Sequence, residues 1–220
     1  MLQDLFDLDE VPDFQPRYNI APTQAVPGIA QGADGRVLKW LQWGLIPSWA
    51  KDPAIGQKMI NARGETLLEK PSFRNAFRRR RCLLPADGFF EWVETTPAAA
   101  GGAPAKPYKQ PYYVKLRSGE PFAFAGLWEY WETADGGPIE SCAIITTEPN
   151  EVLREVHGRM PVILAKEEYR DWLETDAKDA EKLLSLLDPY PPEELELYPV
   201  TRSMSNPRFD DPACIMPLAS

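Results

Sequence analysis

Val156-His157-Gly158-Arg159-Met160-Pro161 sets the chain's single imidazole two residues from a guanidinium. Imidazole exchanges protons readily near neutral pH. Gly158 permits unusual backbone angles and Pro161 fixes the exit, so the segment reads as an ordered loop presenting both side chains. A lone structural or exposed histidine is the plainer alternative. Glu91 stands among three aromatics in Phe89-Phe90-Glu91-Trp92. Buried there, its carboxyl would hold its proton unusually well and serve as a general acid; facing outward, it is an ordinary strand residue. Asn61, Arg63 and Glu65 alternate in Asn61-Ala62-Arg63-Gly64-Glu65-Thr66 and would share one face if extended. A capped helix start, with Asn61 or Thr66 as cap, fits the same letters. Cys82 follows Arg78-Arg79-Arg80-Arg81, which would favour a thiolate, but Leu83 and Leu84 after it suit a buried strand.

Three further segments are candidate site walls. Arg17-Tyr18-Asn19-Ile20-Ala21-Pro22-Thr23 mixes polar groups with a turn. Trp43-Gly44-Leu45-Ile46-Pro47-Ser48-Trp49 places two tryptophans around a Gly/Pro turn, where an exposed ring would stack on or wedge between bases. The stretch from Lys70 to Arg81 carries +6 and no acid, leaving −15 on the rest of a chain whose net charge is −9. Four consecutive arginines cannot all point one way. They form either a solvated helix end with alternate residues salt-bridged, or a phosphate-contacting edge.

The 220 residues suit one large domain or two small ones. One histidine excludes zinc sites built on several imidazoles. The net negative charge opposes coating of nucleic acid by bulk charge but leaves room for a local basic groove. Cys82, Cys142 and Cys214 form no Cys-x-x-Cys pair, which points to reduced thiols and a cytoplasmic setting, with association to the nucleoid. No apolar run reaches the ~18 residues of a membrane span, so no membrane partner is expected. Neither a metal nor another cofactor is implied.

With 23 prolines, the chain must be rich in short strands and ordered loops. Strands are expected at Val37–Gly44, Arg81–Ala86, Phe89–Glu94, Tyr112–Leu116, Phe122–Leu127 and Ser141–Thr147. Asp87-Gly88 reads as a hairpin turn, and so does Arg117–Glu120. Short helices are expected within Leu67–Arg79, Asn150–Val156, Lys166–Leu173 and Asp176–Leu187. Thr95–Lys109, rich in Pro, Ala and Gly, reads as a flexible insertion within a hairpin. The expected architecture is α+β: one domain over residues 1–220, a curved mixed or antiparallel sheet with a barrel-like core, flanked by short helices.

Five of these segments in this order, from Arg17-Tyr18-Asn19 through Trp43–Trp49, Asn61–Thr66 and Cys82–Trp92 to His157–Pro161, resemble the SOS response-associated peptidase (SRAP) family. The resemblance spans Phe14 to Pro217. It implies a protein that senses abasic sites in single-stranded DNA. In that family an N-terminal cysteine, exposed by loss of the initiator methionine, captures the ring-opened aldehyde through its α-amine and closes a thiazolidine with its thiol. The resemblance further implies that Glu91 assists ring opening and proton transfer, and that His157 helps Schiff-base chemistry. Asn61 would hydrogen-bond the adduct near Thr146. Arg63 and Arg159 would hold phosphates, Trp49 and Pro22 would shape the DNA path, and Asn19, Arg78 and Arg80 would add contacts. A monomer is expected.

The family begins Met-Cys-Gly-Arg, whereas this sequence begins Met1-Leu2-Gln3. About fifteen to twenty residues of the family pattern have no counterpart, and the chain as given is expected not to close a thiazolidine. Two other functions compete. One is a thiol peptidase using Cys82 and His157, or a narrow activity that cleaves an N-terminal extension to expose the cysteine. The other is a non-enzymatic scaffold whose Arg78–Arg81 run binds an acidic partner.

Overall fold

The computed structural model describes residues 2–96, 106–133 and 137–218. Five strands close a ring. β1 (Ala25–Gln31) pairs with β2 (Arg36–Trp43), β2 with β8 (Pro138–Thr147), β8 with β7 (Phe122–Glu132), β7 with β4 (Arg81–Ala86), and β4 with β1. Closure removes the open edges that would invite pairing with other chains. Three short strands extend the barrel: β3 (Asn61–Arg63) and β9 (Met160–Pro161) on β8, and β10 (Ile163–Leu164) on β7. A separate antiparallel sheet runs β11 (Leu195–Pro199), β6 (Tyr108–Leu116), β5 (Phe89–Thr95).

Alternation along β4 explains how one barrel is covered on two sides. Cys82 and Leu84 pack with Val114 and Leu195 of the smaller sheet. Leu83 points the other way, toward Ile145, Leu127, Phe77 and Trp172. Arg81 through Leu84 are all buried because both faces of the strand are covered. Helices α1 (Leu2–Phe6), α2 (Arg74–Arg79) and α4 (Tyr169–Glu174) cover that second face, with Phe6 stacked on Tyr169 at 5.4 Å between ring centroids. α3 (Glu151–Arg154) starts where Asn150 accepts a hydrogen bond from Leu153 N at 2.9 Å, and α5 (Ala180–Ser185) buries Leu183.

The expected α+β domain with a barrel-like core is what forms. Both expected hairpin turns are corrected, however. β4 and β5 lie in different sheets, so Asp87-Gly88 carries the chain across from one to the other. A Cβ on Gly88 would lie 2.4 Å from the Tyr113 ring, so only glycine fits this crossing. Arg117–Glu120 makes the return crossing from β6 to β7. Turn residues mark a reversal of the chain but not its partner, which non-local packing chooses. β1, β9, β10 and β11 are absent from the sequence expectation, while the short helix expected within Leu67–Arg79 forms as α2. β5 and β6 do form a hairpin; most of the Thr95–Lys109 segment at its tip lies outside the described residues.

The four arginines divide. Arg81 is 8% exposed, and its guanidinium donates to Phe77 O (2.8 Å) and Arg78 O of α2, and to Trp172 O (2.6 Å), Leu173 O and Thr175 O at the end of α4. One cation thereby satisfies carbonyls at two helix C-termini, where the peptide dipoles also favour positive charge. Replacing it leaves those carbonyls without a partner in the interior. Arg81→Ala is expected to cost about 3 kcal/mol in urea-induced unfolding, where an ordinary surface arginine would change stability by under ~0.5 kcal/mol.

Candidate active site

The site forms where the two sheets meet. Glu91 comes from β5, an edge strand of the smaller sheet. Phe89, two residues earlier, packs edge-on against Phe124 of the barrel at 5.8 Å and fixes the approach of this strand. His157 comes from the loop between α3 and β9, beside Val156, which packs into the inter-sheet core. Glu91 Oε1 lies 3.5 Å from His157 Nδ1; the carboxylate is 15% exposed and the imidazole 51%. An open cavity of about 300 Å³ runs over the pair, lined also by Trp92 and Lys109.

Burial pushes the Glu91 carboxyl up from its ordinary value to about 7, with the imidazole pulling modestly the other way. Glu91 is thus half-buried, nearer the enclosed alternative drawn from its aromatic neighbours than an outward-facing strand residue. A carboxyl poised there is part protonated at neutral pH and can give or take a proton. His157 Nδ1 also lies 2.9 Å from Arg159 O. Arg159 N lies 3.3 Å from the same atom, so the ring tautomer decides whether Nδ1 donates to that carbonyl or accepts from that N–H.

A second cluster sits at the end of β8. Asn61 and Arg63 project from β3 on the exposed side, and Ala62 between them is buried. The extended reading of this segment holds for residues 61–63; Gly64–Thr66 then turns as a 3-10 helix. Arg63 is in register with Thr146, which is in register with Pro161 across β9. The Arg159 guanidinium donates to Glu65 through both terminal nitrogens, at 2.7 and 2.9 Å, and to Thr146 O at 2.7 Å. That pairing, above all the hydrogen bond from Arg159, holds the Glu65 carboxyl below its ordinary value. Thr146 is itself 8% exposed, so it shapes the floor and offers little free surface.

The remaining candidates separate. Trp49 is 55% exposed on a loop pinned by the Trp131 indole N–H to Ala50 O at 2.7 Å. Its partner Trp43 is half-buried and donates to Ile60 O. Gly44 between them has φ +131°, and a Cβ on it would meet Gly56 O at 2.7 Å. Pro22 is exposed in a turn held to the end of β2 by Thr23 N to Trp43 O. Asn19 differs from the expected DNA contact. It is 5% exposed, and its amide donates to Met204 O, Asn206 O and Phe209 O, tying the segment to the C-terminal loop. Arg80 is likewise spent: it pairs at 2.8 Å with Glu129, which is 3% exposed. Arg78 is exposed, and with Arg79 and Lys178 it lines a different groove, which Glu91 and His157 do not line. The thiol reading fails on geometry. Cys82 is fully buried, burial raises its pKa well above the ordinary value, and it lines no cavity with His157. Glu65 is given a face but no role by the sequence, and Trp92 and Lys109 are not singled out there as cavity residues. Trp92 and Glu65 lay inside quoted motifs, while Lys109 was hidden at the end of the expected loop.

The model of the family described as SOS response associated peptidase (SRAP) matches residues 1–207, and the chain belongs to that family. It is 45% identical over 203 residues to the abasic site processing protein YoqW of Bacillus subtilis, covering 92% of this chain and 87% of that one. It is 32% identical to the abasic site processing protein HMCES of Gallus gallus, over 93% of this chain and 67% of that one. A crystal structure of a Bacteroides thetaiotaomicron protein superposes with a TM-score of 0.75 at 30% identity, covering 90% of this chain and 82% of that chain.

The raised Glu91 pKa has a signed consequence for stability. The folded state binds this proton more tightly than the unfolded chain does. Its stabilising effect is therefore complete below about pH 4.5 and lost as pH rises through about 7. Glutamine cannot ionise. Glu91→Gln is expected to match the wild type at pH 4 and to exceed it by about 3 kcal/mol at pH 8 in chemical denaturation. A difference that stays constant across that range would remove the buried-acid assignment.

Proposed function

We propose that the chain binds single-stranded DNA at abasic sites, as a monomer, and that Glu91 and His157 move protons at the opened sugar. The observation that carries this reading is the buried carboxyl, poised at about 7 and 3.5 Å from the sole imidazole, beneath an open cavity. Membership of the SRAP family and the names of the Bacillus and Gallus relatives support the substrate class. Every group invoked comes from one chain, which suits a monomer.

The roles follow from chemistry and position. An abasic sugar equilibrates between a closed hemiacetal and an open aldehyde. Opening needs a proton taken from the 1-hydroxyl and one given to the ring oxygen, which a carboxyl near pKa 7 can exchange. Asn61 offers amide donors and acceptors to the opened sugar from the exposed face of β3. Arg63, extending from the same face, and the outward edge of Arg159 take the flanking phosphates. Trp49 and Pro22 border the strand's path, and Arg78 supplies a more distant positive charge.

Covalent capture adds a nucleophile with both an amine and a thiol. The α-amine of an N-terminal cysteine, with a pKa of about 7.7–8.0, condenses with the aldehyde and water leaves. The thiol then adds across the C=N bond, its proton passes to nitrogen, and a thiazolidine closes. His157 can relay these protons. This step is proposed for a form that carries Cys-Gly-Arg ahead of Leu2.

Two measurements test the reading. By fluorescence anisotropy the chain should prefer a single strand carrying a tetrahydrofuran abasic analogue over the intact strand. Arg63→Ala should flatten the log K against log salt slope by about 0.7, the value for one phosphate contact on a single strand. In denaturing gels, the Cys-Gly-Arg form should cross-link to a natural abasic strand, and Glu91→Gln should slow it at least tenfold. Equal affinity for intact and abasic strands, with no cross-link from either form, would exclude the function.

A further inference from the structure

Glu65 plays no part in the proton transfers or phosphate contacts described above, yet it organises the residues that do. Its two carboxylate oxygens take one N–H from each terminal nitrogen of Arg159. The second N–H on Nη2 goes to Thr146 O, anchored in β8. Of the five guanidinium N–H groups, that leaves one on Nη1 and the one on Nε. Arg159 Nε is buried with no hydrogen-bond partner. Leaving a buried donor unpaired costs about 1–3 kcal/mol, so this guanidinium is not placed to satisfy itself. The bidentate charged pair with Glu65 and the bond to Thr146 dictate where it sits. The same residue's backbone carbonyl is the nearest acceptor to His157 Nδ1, at 2.9 Å, closer than Glu91 at 3.5 Å. The Arg159 N–H also lies 3.3 Å from Nδ1. A nitrogen cannot donate to the carbonyl and accept from that N–H at once, and the shorter contact favours donation.

We propose that Glu65 is a positioning residue: by clasping the Arg159 side chain to β8, it holds the Arg159 carbonyl against His157 and fixes the imidazole as its Nδ1–H tautomer. Nε2 is thereby kept as the free base facing the cavity, and one Nη1 N–H of Arg159 is kept pointing outward. The chain of contact runs from Glu65 to the Arg159 guanidinium, along its own residue to the carbonyl, and on to the ring. Ring orientation set by a group that never meets the reacting atoms is a common device around catalytic and metal-binding histidines. The groups facing His157 are Glu91 from β5, Lys109 from β6 and Arg159 in its own loop. Glu65 faces none of the ring and acts only through Arg159. Its value as a device rests on the proton-transfer role proposed above, but its test reads the imidazole directly and needs no DNA.

The single histidine makes that test unambiguous, because every imidazole nitrogen signal belongs to His157. Two-bond proton–nitrogen correlation spectra of uniformly nitrogen-15-labelled protein at alkaline pH report the tautomer. The wild type should show a protonated Nδ1 and an unprotonated Nε2. Glu65→Ala should raise the Nε2–H share several-fold, drawing the two nitrogen shifts together. Glu65→Gln keeps the volume and one acceptor, so it should move them in the same direction by less; it carries the test alone if the alanine variant does not fold. Glu91 is intact in both variants, so a tautomer set by Glu91 alone would leave both spectra like the wild type. That result, or a wild-type spectrum showing Nε2–H, overturns the proposal. Failure of DNA binding with the expected spectral change would instead count against the functional reading and leave the positioning role standing.

Discussion

Glu91 holds its proton to about pH 7 because water has been taken away from it, and the rest of the site depends on that exclusion. An isolated β-hairpin in water could not do this, since one face of each strand would stay hydrated. The smaller sheet has to be pressed onto the barrel. Val114 and Leu195 from that sheet meet Leu84, Phe122 and Phe124 from the barrel, with Phe89 edge-on to Phe124 two residues before Glu91. The same core takes in Val156, next to His157. One apolar interface therefore desolvates the acid and fixes the loop that brings the imidazole to it. Loss of packing at that interface would rehydrate Glu91 and let it ionise as an ordinary glutamate.

Charge is distributed to match. The molecule is acidic overall, and its conspicuous basic run is split between surface and interior. Arg81 and Arg80 are consumed inside the fold, one collecting helix-end carbonyls and the other paired with a buried glutamate. What remains outward, Arg78 and Arg79, lines a groove that neither Glu91 nor His157 lines. Lys109 lines the cavity over Glu91 and His157, and two arginines drawn from elements far apart in sequence stand at the end of β8. Arg63 extends outward, while Arg159 is partly neutralised by Glu65. Positive charge beside the cavity over Glu91 and His157 is thus sparse and local.

Glu91 and His157, which the structure brings within 3.5 Å, are legible in the sequence because their signals are chemical and local. A lone histidine between residues that shape a loop, and a carboxylate among aromatics, both announce themselves. The barrel-like core is legible because many short apolar segments broken by prolines leave few other solutions. Asp87-Gly88 and Arg117–Glu120 are misassigned because a reversal looks the same whether the next strand pairs beside the last or crosses to another sheet. β9 and β10 are illegible for a related reason. Two-residue strands carry no periodicity and exist only because β8 and β7 offer them an edge.

Asn19 shows why a motif does not translate directly into a site. Its segment was as polar and as turn-rich as the one holding Asn61, and nothing in either string of letters separates them. The difference is what each segment packs against. Asn19 meets three carbonyls of the C-terminal loop, nearly two hundred residues away, and the Asp210 carboxylate takes the Tyr18 and Asn19 amides at 2.6 and 3.0 Å. Asn61 stands on a strand that continues the barrel past β8, with no strand paired to its outer edge among the described residues. An asparagine facing carbonyls becomes a clamp, and one facing solvent beside two arginines becomes available to a ligand. The family's ordered motifs thus mix residues that close the molecule with residues left open by that closure, and only the register of β3 on β8 tells them apart.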